Sequence, residues 1–579
     1  MSPPFQPPAD TVTEILPPLL VGADDAPDWA AEAEVVVVGW GAAGACAAIE
    51  ARTAGASVLV IDRFEGGGAS AISGGVVYAG GGTRHQRDAG YGDTPDAMFD
   101  YLRREVNGVV GDATLRRFCD ESVANLEWLE RQGVRFGSTM PPYKTSYPPD
   151  DAFLYHSGNE AVPTNRGPYG DPAPRGHRAV ARGQSGGALY AALKNATLMS
   201  GADTMTQAAV RRLVCERTPD GRPGRVIGVE VARLPPGDPL SLHHAKLDQQ
   251  AARWRLYRPA KAEACRREAT RIEREAARPV LVRATRAVVL STGGFIFNPD
   301  LWRRHAPHTT GGLPIGGAGC DGSGLRLGLG VGAAARELGN ISCWRFITPP
   351  ADWPKGIVVN ARGERFCNEQ VYGATLGHAV VEEQDGKAWL IIDAALRRKA
   401  IRQCLFGGLW AFQSLPALAM MLFGALKAKT PEALAARIGA DPARLRDSIA
   451  AANAAARGLA EDPVGKAADM RHALAGTLYA LDISLAAPMP PMAVLTLGGL
   501  VVDEDTGKVR DESGTGIPGL YAAGRAALGL PSSRYVSGLS LADCVFSGRR
   551  AGRAAAAADR LSPAFPPVRH DNVKDDACF

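Results

Sequence analysis

The sequence predicts an α/β protein in which a parallel-sheet domain is split in two and an α+β cap is inserted between its halves. Three observations predict it. Residues 35–62 read VVVVGWGAAGACAAIEARTAGASVLVID, a strand, a glycine turn, a helix and a second strand ending in an acid. From 298 to 488 the strand signals thin out and a long apolar stretch appears. From 496 onward TLGGLVVD, GIPGLYAAGR and SGLSLADCVFSGRRAG restore the alternation of strand, glycine turn and helix.

The first segment carries its own chemistry. Val35 to Val38 form a continuous β-branched run, as strands buried on both faces of a parallel sheet do. Gly39 makes the tight turn, Gly41 lets the backbone approach a pyrophosphate, and Gly44 lets the next helix pack close to the strand. That helix offers N–H groups and the positive end of its dipole to phosphate. Asp62, at the end of the second strand, is placed to accept ribose hydroxyls. Together these residues predict a Rossmann-like, dinucleotide-binding fold.

The remaining elements follow in order. Residues 1–30 read as a proline-rich arm, without the charged and apolar regions of an export signal. The first half of the nucleotide domain spans 31–297. It holds a glycine-rich stretch at 66–82 too dense for regular structure, helical patterns at 94–132 and 186–198, and strands at 210–215, 226–231 and 287–290. Within it, 242–279 carries ten Lys or Arg against five Asp or Glu. This reads as one or two exposed helices, either solvated or meeting a membrane surface or subunit. The strand at 287–290 runs into STGGF, a turn where glycine lets backbone approach a ligand. The cap spans 298–488, and the second half of the nucleotide domain 489–560. Residues 561–579 form a polar tail.

Residues 405–426, LFGGLWAFQSLPALAMMLFGAL, hold no charge. Their length allows a membrane span, but Gln413, Ser414 and Pro416 interrupt them, leaving a buried hairpin or lid and a leaflet-dipping segment as the other readings.

Composition bounds the function. A chain of 579 residues that is 46% hydrophobic fills more than one core, and a formal charge of +4 gives no global reason to bind nucleic acid. Ten cysteines without a CxxC pair argue against zinc ribbons, redox dithiols and covalent haem, and no metal is expected. A reduced, cytoplasmic setting fits, with peripheral contact at the inner face of the cell membrane as the extension the apolar stretch suggests.

Motif order and spacing, VVVVGWGAAG through SGLSLADCVFSGRRAG, resemble the fumarate reductase and succinate dehydrogenase flavoproteins in their 3-ketosteroid dehydrogenase branch, over about 500 residues. The resemblance implies a glutathione-reductase-like FAD-binding domain under a catalytic cap. It places Gly39, Gly41, Ala42, Ala43, Gly44, Asp62 and Arg63 on the ADP half of FAD, with Val210 at the adenine. Ser70, Ala71, Ser73, Gly74 and Gly75 fall near the pyrophosphate and flavin. Thr292, Gly293, Gly294, Gly524, Arg525, Ser540 and Leu541 fall along the ribityl chain and ring. Arg525 departs from the glutamate that many members carry after YAAG. GGGASAISGG lacks the histidine that bonds covalently to flavin in quinone-linked succinate dehydrogenases, so non-covalent FAD is expected.

Substrate class follows from replacements within that resemblance. GERFCNE (363–369) is present, but Tyr372 falls near the position of the fumarate reductase acid. Tyr535, beside Arg534, stands where a dicarboxylate-binding arginine is expected. A dicarboxylate would lose its bidentate partners. The pattern instead resembles 3-ketosteroid dehydrogenases, particularly the delta-4-(5α) type over the delta-1 type. Tyr372 is the implied base for the proton alpha to the ketone, and Ser537 its relay. Tyr535 and the Gly538 N–H are the implied donors to the ketone oxygen, each such donor contributing about 2.7 to 4 kcal/mol. Hydride then passes to flavin N5, and an external acceptor, a quinone or another, reoxidises the flavin. Tyr143, Tyr147 and Tyr155 are candidates for the entrance, and Tyr479 for a site wall. Two alternatives stand beside this reading: a flavoprotein reductase or dehydrogenase of another cyclic ketone or unsaturated acid, and a membrane-associated flavin-binding protein without turnover.

Overall fold

The computed structural model describes residues 7–165, 172–255 and 258–561. The polar tail beyond 561 and the first six residues of the expected arm lie outside them.

A nine-stranded sheet carries the molecule. Its strands are β1 (Leu19–Val21), β2 (Trp29–Val38), β3 (Val58–Ile61), β4 (Asp203–Met205), β5 (Ala208–Arg217), β6 (Pro223–Arg233), β7 (Arg278–Leu290), β8 (Lys508–Arg510) and β9 (Gly516–Ala522). Their order is β1-β5-β6-β7-β2-β3-β4. The long β7 branches, pairing antiparallel with β6 along 278–283 and parallel with β9 along 288–290. In this way the C-terminal segment re-enters beside β7, on the side opposite β2. Val35, Val36 and Val37 are completely buried, since the sheet has a core on each face.

Helix α1 (Ala42–Thr53) follows the glycine turn. Gly39 adopts φ +99°, open to glycine but strained for other residues, and a Cβ on Gly44 would collide with the Gly39 carbonyl oxygen. The charged segment forms a hairpin of α2 (Pro239–Trp254) and α3 (Pro259–Ala276), held by Leu247, Ala251, Ala262, Cys265, Ala269 and Ile272. It is less detached than its charge suggests. Glu273 pairs with Arg63 at 2.9 Å and with His244 at 2.9 Å, and the His244 ring stacks on Phe64 at 5.4 Å.

The cap is built on a four-stranded antiparallel sheet in the order 357–360, 388–393, 478–482, 426–428, with helices around it. The uncharged stretch is not one continuous helix. It forms the end of α4 (Ala394–Phe406), all of α5 (Ala411–Ala419) and a turn over Met420–Gly424. Among the described residues no helix is long and apolar enough to cross a membrane, which removes the spanning reading. The last helix among the described residues is α6 (Leu539–Ala557), crossing α1 where Gly548 and Gly552 meet the backbone of Ala43 and Ala47.

The partition differs from the boundaries read off the sequence in three places. Residues 7–30 of the arm are docked: β1 extends the sheet against β5, and Arg326 donates to the Thr13 carbonyl. Within 298–488, Leu325, Leu327 and Ala333 pack into the core of the nucleotide domain. Conversely Ala493–Thr496, beyond residue 488, pairs with Ile341–Trp344 in a small cap sheet. Long-range pairing sets these boundaries, and local texture does not report it. The glycine-rich stretch also holds one helical turn, Gly68–Ala71.

Candidate active site

A cavity of about 1110 Å³ runs between the two domains. It exceeds the 300–1,000 Å³ typical of a pocket for one small ligand, leaving room for a dinucleotide and a second molecule. At one end it is lined by Gly39, Gly41, Ala42, Ala43, Asp62, Arg63 and Val210. Its middle is lined by Ser70, Ala71, Ser73, Gly74, Gly75, Thr292, Gly293, Arg525, Ser540 and Leu541, and the other end by Tyr372, Tyr535, Ser537 and Gly538. Gly44, Gly294 and Gly524 do not line it. They are packing positions, where a Cβ would press on the Gly39 carbonyl oxygen, Thr496 Oγ1 and the Ala43 Cβ respectively.

At the nucleotide end, Asp62 holds the turn as well as facing the cavity. One carboxylate oxygen accepts the Trp40 N–H at 2.7 Å and the other the Phe64 N–H at 2.8 Å. Burial pushes its carboxyl upward against these bonds. Arg63 is committed to Glu273 and Asp321, which favours a structural part for it beside the cavity. The α2–α3 hairpin adds Asp248, Gln249 and Arg255 to the wall, residues for which the sequence offered no site signal. Burial and the nearby Asp62 raise the Asp248 carboxyl to about 6.

The middle of the cavity fits a flavin dinucleotide. The N-cap of α1 is Gly41, the Ser70 hydroxyl accepting the Ala42 N–H at 3.0 Å, and α6 starts at Gly538 in the left-handed conformation, so two helix N-termini belong to the cavity. Arg525 donates to Cys320 Sγ at 3.2 Å, while its Nη1 is buried without a hydrogen-bond partner. An orphaned guanidinium nitrogen on this wall suits an anionic or carbonyl-bearing ligand.

At the far end the GERFCNE segment acts as a clamp. Arg365 pairs with Glu369 at 2.8 Å and Asp462 at 2.9 Å, and Lys466 reaches Glu369 at 2.8 Å, all four side chains buried. Lys466 and Arg365 hold the Glu369 carboxyl low against the cost of burial. This clamp fixes the start of the loop that delivers Tyr372. The loop's other support comes from across the domain boundary: the Asn159 side-chain carbonyl accepts the Tyr372 N–H at 2.6 Å, and its amide donates to Glu105 at 3.0 Å and Thr375 at 2.8 Å.

Four rings form an apolar slot. Trp344 lies 4.9 Å from Tyr535 and 5.8 Å from Phe346, which lies 5.9 Å from Tyr372. Tyr155 is no entrance residue: it is 1% exposed and its hydroxyl lies 3.2 Å from Ser537 Oγ. Tyr147 does stand on the cavity wall, donating to the Gly74 and Gly183 carbonyls and meeting Phe412 edge-on at 6.0 Å. Tyr143 accepts from Gln403, and Tyr479 packs on the cap core under Arg397. Asn159, Trp344 and Phe346 went unread in the sequence, because isolated loop and strand residues carry no spacing signal.

Burial pushes the Tyr372 hydroxyl well above its usual range, helped by Tyr535 and Tyr155, while its hydrogen bond with Ser537 works the other way. Burial raises Tyr535 to about 12, with Arg525 opposing. Both hydroxyls are protonated at neutral pH.

A split Rossmann-like domain under a cap, with a cavity for a dinucleotide and a second molecule, defines a cofactor-dependent oxidoreductase. The family model described as FAD binding domain matches residues 34–538, and the chain belongs to that FAD-dependent family, in its 3-ketosteroid dehydrogenase branch. It is 53% identical over 525 residues to the 3-oxo-5-alpha-steroid 4-dehydrogenase of Comamonas testosteroni, covering 89% of this chain and 96% of that one. It is 26% identical to the 3-oxosteroid 1-dehydrogenase of Mycolicibacterium smegmatis, covering 86% and 92%. The crystal structure of 3-ketosteroid-delta4-(5alpha)-dehydrogenase from Rhodococcus jostii, in complex with 4-androstene-3,17-dione, superposes with a TM-score of 0.77 at 30% identity, covering 93% of this chain and all of that one.

Proposed function

We propose that the protein desaturates a 3-oxosteroid at C4–C5, next to its ketone. The observation that carries the reading is the far end of the cavity, where the hydroxyls of Tyr372, Tyr535 and Ser537 and the rings of Trp344 and Phe346 line the space. The 53% identity to a 4-dehydrogenase, against 26% to a 1-dehydrogenase, favours the C4–C5 position.

FAD, when bound, supplies the two-electron oxidation by accepting a hydride. The chain's own residues do the rest. The slot of Trp344, Phe346, Tyr372 and Tyr535 takes flat apolar rings and excludes water. Tyr535 donates to the ketone oxygen together with the Gly538 N–H, stabilising the charge that develops as the alpha proton leaves. Tyr372 receives that proton at its phenolic oxygen while its own passes to Ser537 Oγ, and Tyr155 continues the hydroxyl chain. A free phenolate is not required, which reconciles the raised Tyr372 with its part as base.

The same reading includes non-covalent FAD, an external acceptor such as a quinone, a cytoplasmic setting and a peripheral membrane contact through 405–426. The absence of histidine from 66–82 supports the first of these. Anaerobic mixing with a 5α-reduced 3-ketosteroid is expected to bleach the flavin, while succinate leaves it oxidised. Bleaching by succinate and not by the ketosteroid would reject the reading. Acid precipitation should release all the flavin into the supernatant.

A further inference from the structure

The cap carries an exposed apolar ridge for which catalysis has no use. Phe406 and Phe423 are each 81% exposed, and Leu405, Leu415 and Leu422 are more than half exposed. They occupy the end of α4, the middle of α5 and the turn Met420–Gly424, with half-exposed Met489 beside Gly424. Scattered exposed leucines are ordinary, but two phenylalanines and three leucines gathered within nineteen residues, 405–423, are a patch.

Two further observations say what covers it. Between Ala394 and Thr430 there are six Lys or Arg and no Asp or Glu, and Arg398, Lys399, Arg402, Lys427 and Lys429 are exposed on either side of the ridge. The ridge also borders the cavity, whose wall includes Phe412, Leu415, Pro416, Met420 and Met489. An apolar ridge flanked by these exposed cations is complementary to a surface that is apolar inside and anionic outside. A second copy of this face is a poor partner, since it would set the exposed cations of one chain against those of the other.

We propose that this face of the cap docks on an anionic lipid bilayer. Leu405, Phe406, Leu422 and Phe423 enter the headgroup boundary, the flanking Lys and Arg meet lipid phosphates, and the cavity mouth faces the acyl chains. The inference rests on the steroid reading for its purpose: a water-insoluble ring system would reach the slot from the bilayer without crossing water.

The test is flotation of the FAD-loaded protein with phosphatidylcholine vesicles and with vesicles containing phosphatidylglycerol. Binding is expected to the second and to be weakened by high salt. A Phe406→Ser/Phe423→Ser variant should bind at least about tenfold less, yet retain its flavin and be bleached at the wild-type rate by a ketosteroid delivered as a soluble cyclodextrin complex. Recovery of the wild type wholly in the soluble fraction would overturn the proposal. So would flotation of the double variant equal to wild type, equal binding to both vesicle types, or self-association of the wild type that the variant lacks, without any vesicle binding. Flotation as predicted but no bleaching by any ketosteroid would leave the docking face standing and reject the steroid reading instead.

Discussion

The two ends of the cavity are built from different materials. The nucleotide end is made of backbone: the glycine turn at Gly39 and Gly41 leaves open space beside the first turn of α1, and side chains there mainly hold the turn, as Asp62 does for Trp40 and Phe64. The substrate end is made of side chains: Tyr372, Tyr535, Trp344 and Phe346 come from separate segments and meet only after the cap has closed on the nucleotide domain. A backbone site depends on the absence of side chains at a few positions. A side-chain site depends on tertiary positioning and tolerates drift in its chemistry. The fold can therefore keep one cofactor while its substrate changes.

Breaking the nucleotide end should have the largest effect. Gly44→Val sets new atoms against the Gly39 carbonyl, which is backbone and cannot swing aside, and against the Ser291 hydroxyl, so the variant is expected to be isolated without flavin or not to fold, as read by flavin absorbance and circular dichroism. At the substrate end, Tyr372→Phe keeps the ring against Phe346 and removes only the hydroxyl. Flavin bleaching by ketosteroid should slow by about 10²- to 10⁴-fold, with flavin content and KM close to wild type. A smaller loss, about tenfold in kcat, is expected for Asn159→Ala, which removes the acceptor of the Tyr372 N–H and leaves Glu105 with the Tyr101 hydroxyl alone of its two side-chain donors, while touching neither ligand. An equal loss in the two variants would mean that Asn159 does more than position Tyr372.

The smallest effect concerns the scaffold common to both ends. Burial depresses His177 from 6.5 to about 3, and its nitrogens face the Thr83 hydroxyl and the Arg175 carbonyl, partners that suit the neutral ring. His156 is depressed to about 4, again chiefly by burial. A depressed pKa contributes stability above the unfolded value and loses it as pH falls towards the folded one. The melting temperature should therefore decline between pH 6.5 and about 4, and His177→Gln should flatten that decline.

The same contrast explains what the sequence made legible. Residues 35–62 spelled out strand, turn, helix and acid, because each requirement is local and glycine meets it visibly. Tyr372 and Tyr535 emerged only through resemblance, as tyrosines where cations were expected. Asn159 was invisible: a single loop residue that spans 213 positions to reach Tyr372 leaves no periodicity. The domain boundaries blurred for a related reason, since Leu325 and Ala333 join the core of the nucleotide domain from inside the cap's stretch of sequence. The charge of 242–279 suggested a detached insert, yet Glu273 ties the hairpin to Arg63.

The central claim is that neutral hydroxyls at the substrate end direct C4–C5 desaturation of a 3-oxosteroid. A single anaerobic turnover of 5α-androstane-3,17-dione, with the steroid extracted and identified by mass spectrometry and NMR, tests it most directly. The account predicts 4-androstene-3,17-dione in an amount equal to the flavin reduced; a 1-ene product, or unchanged steroid beside oxidised flavin, would contradict it.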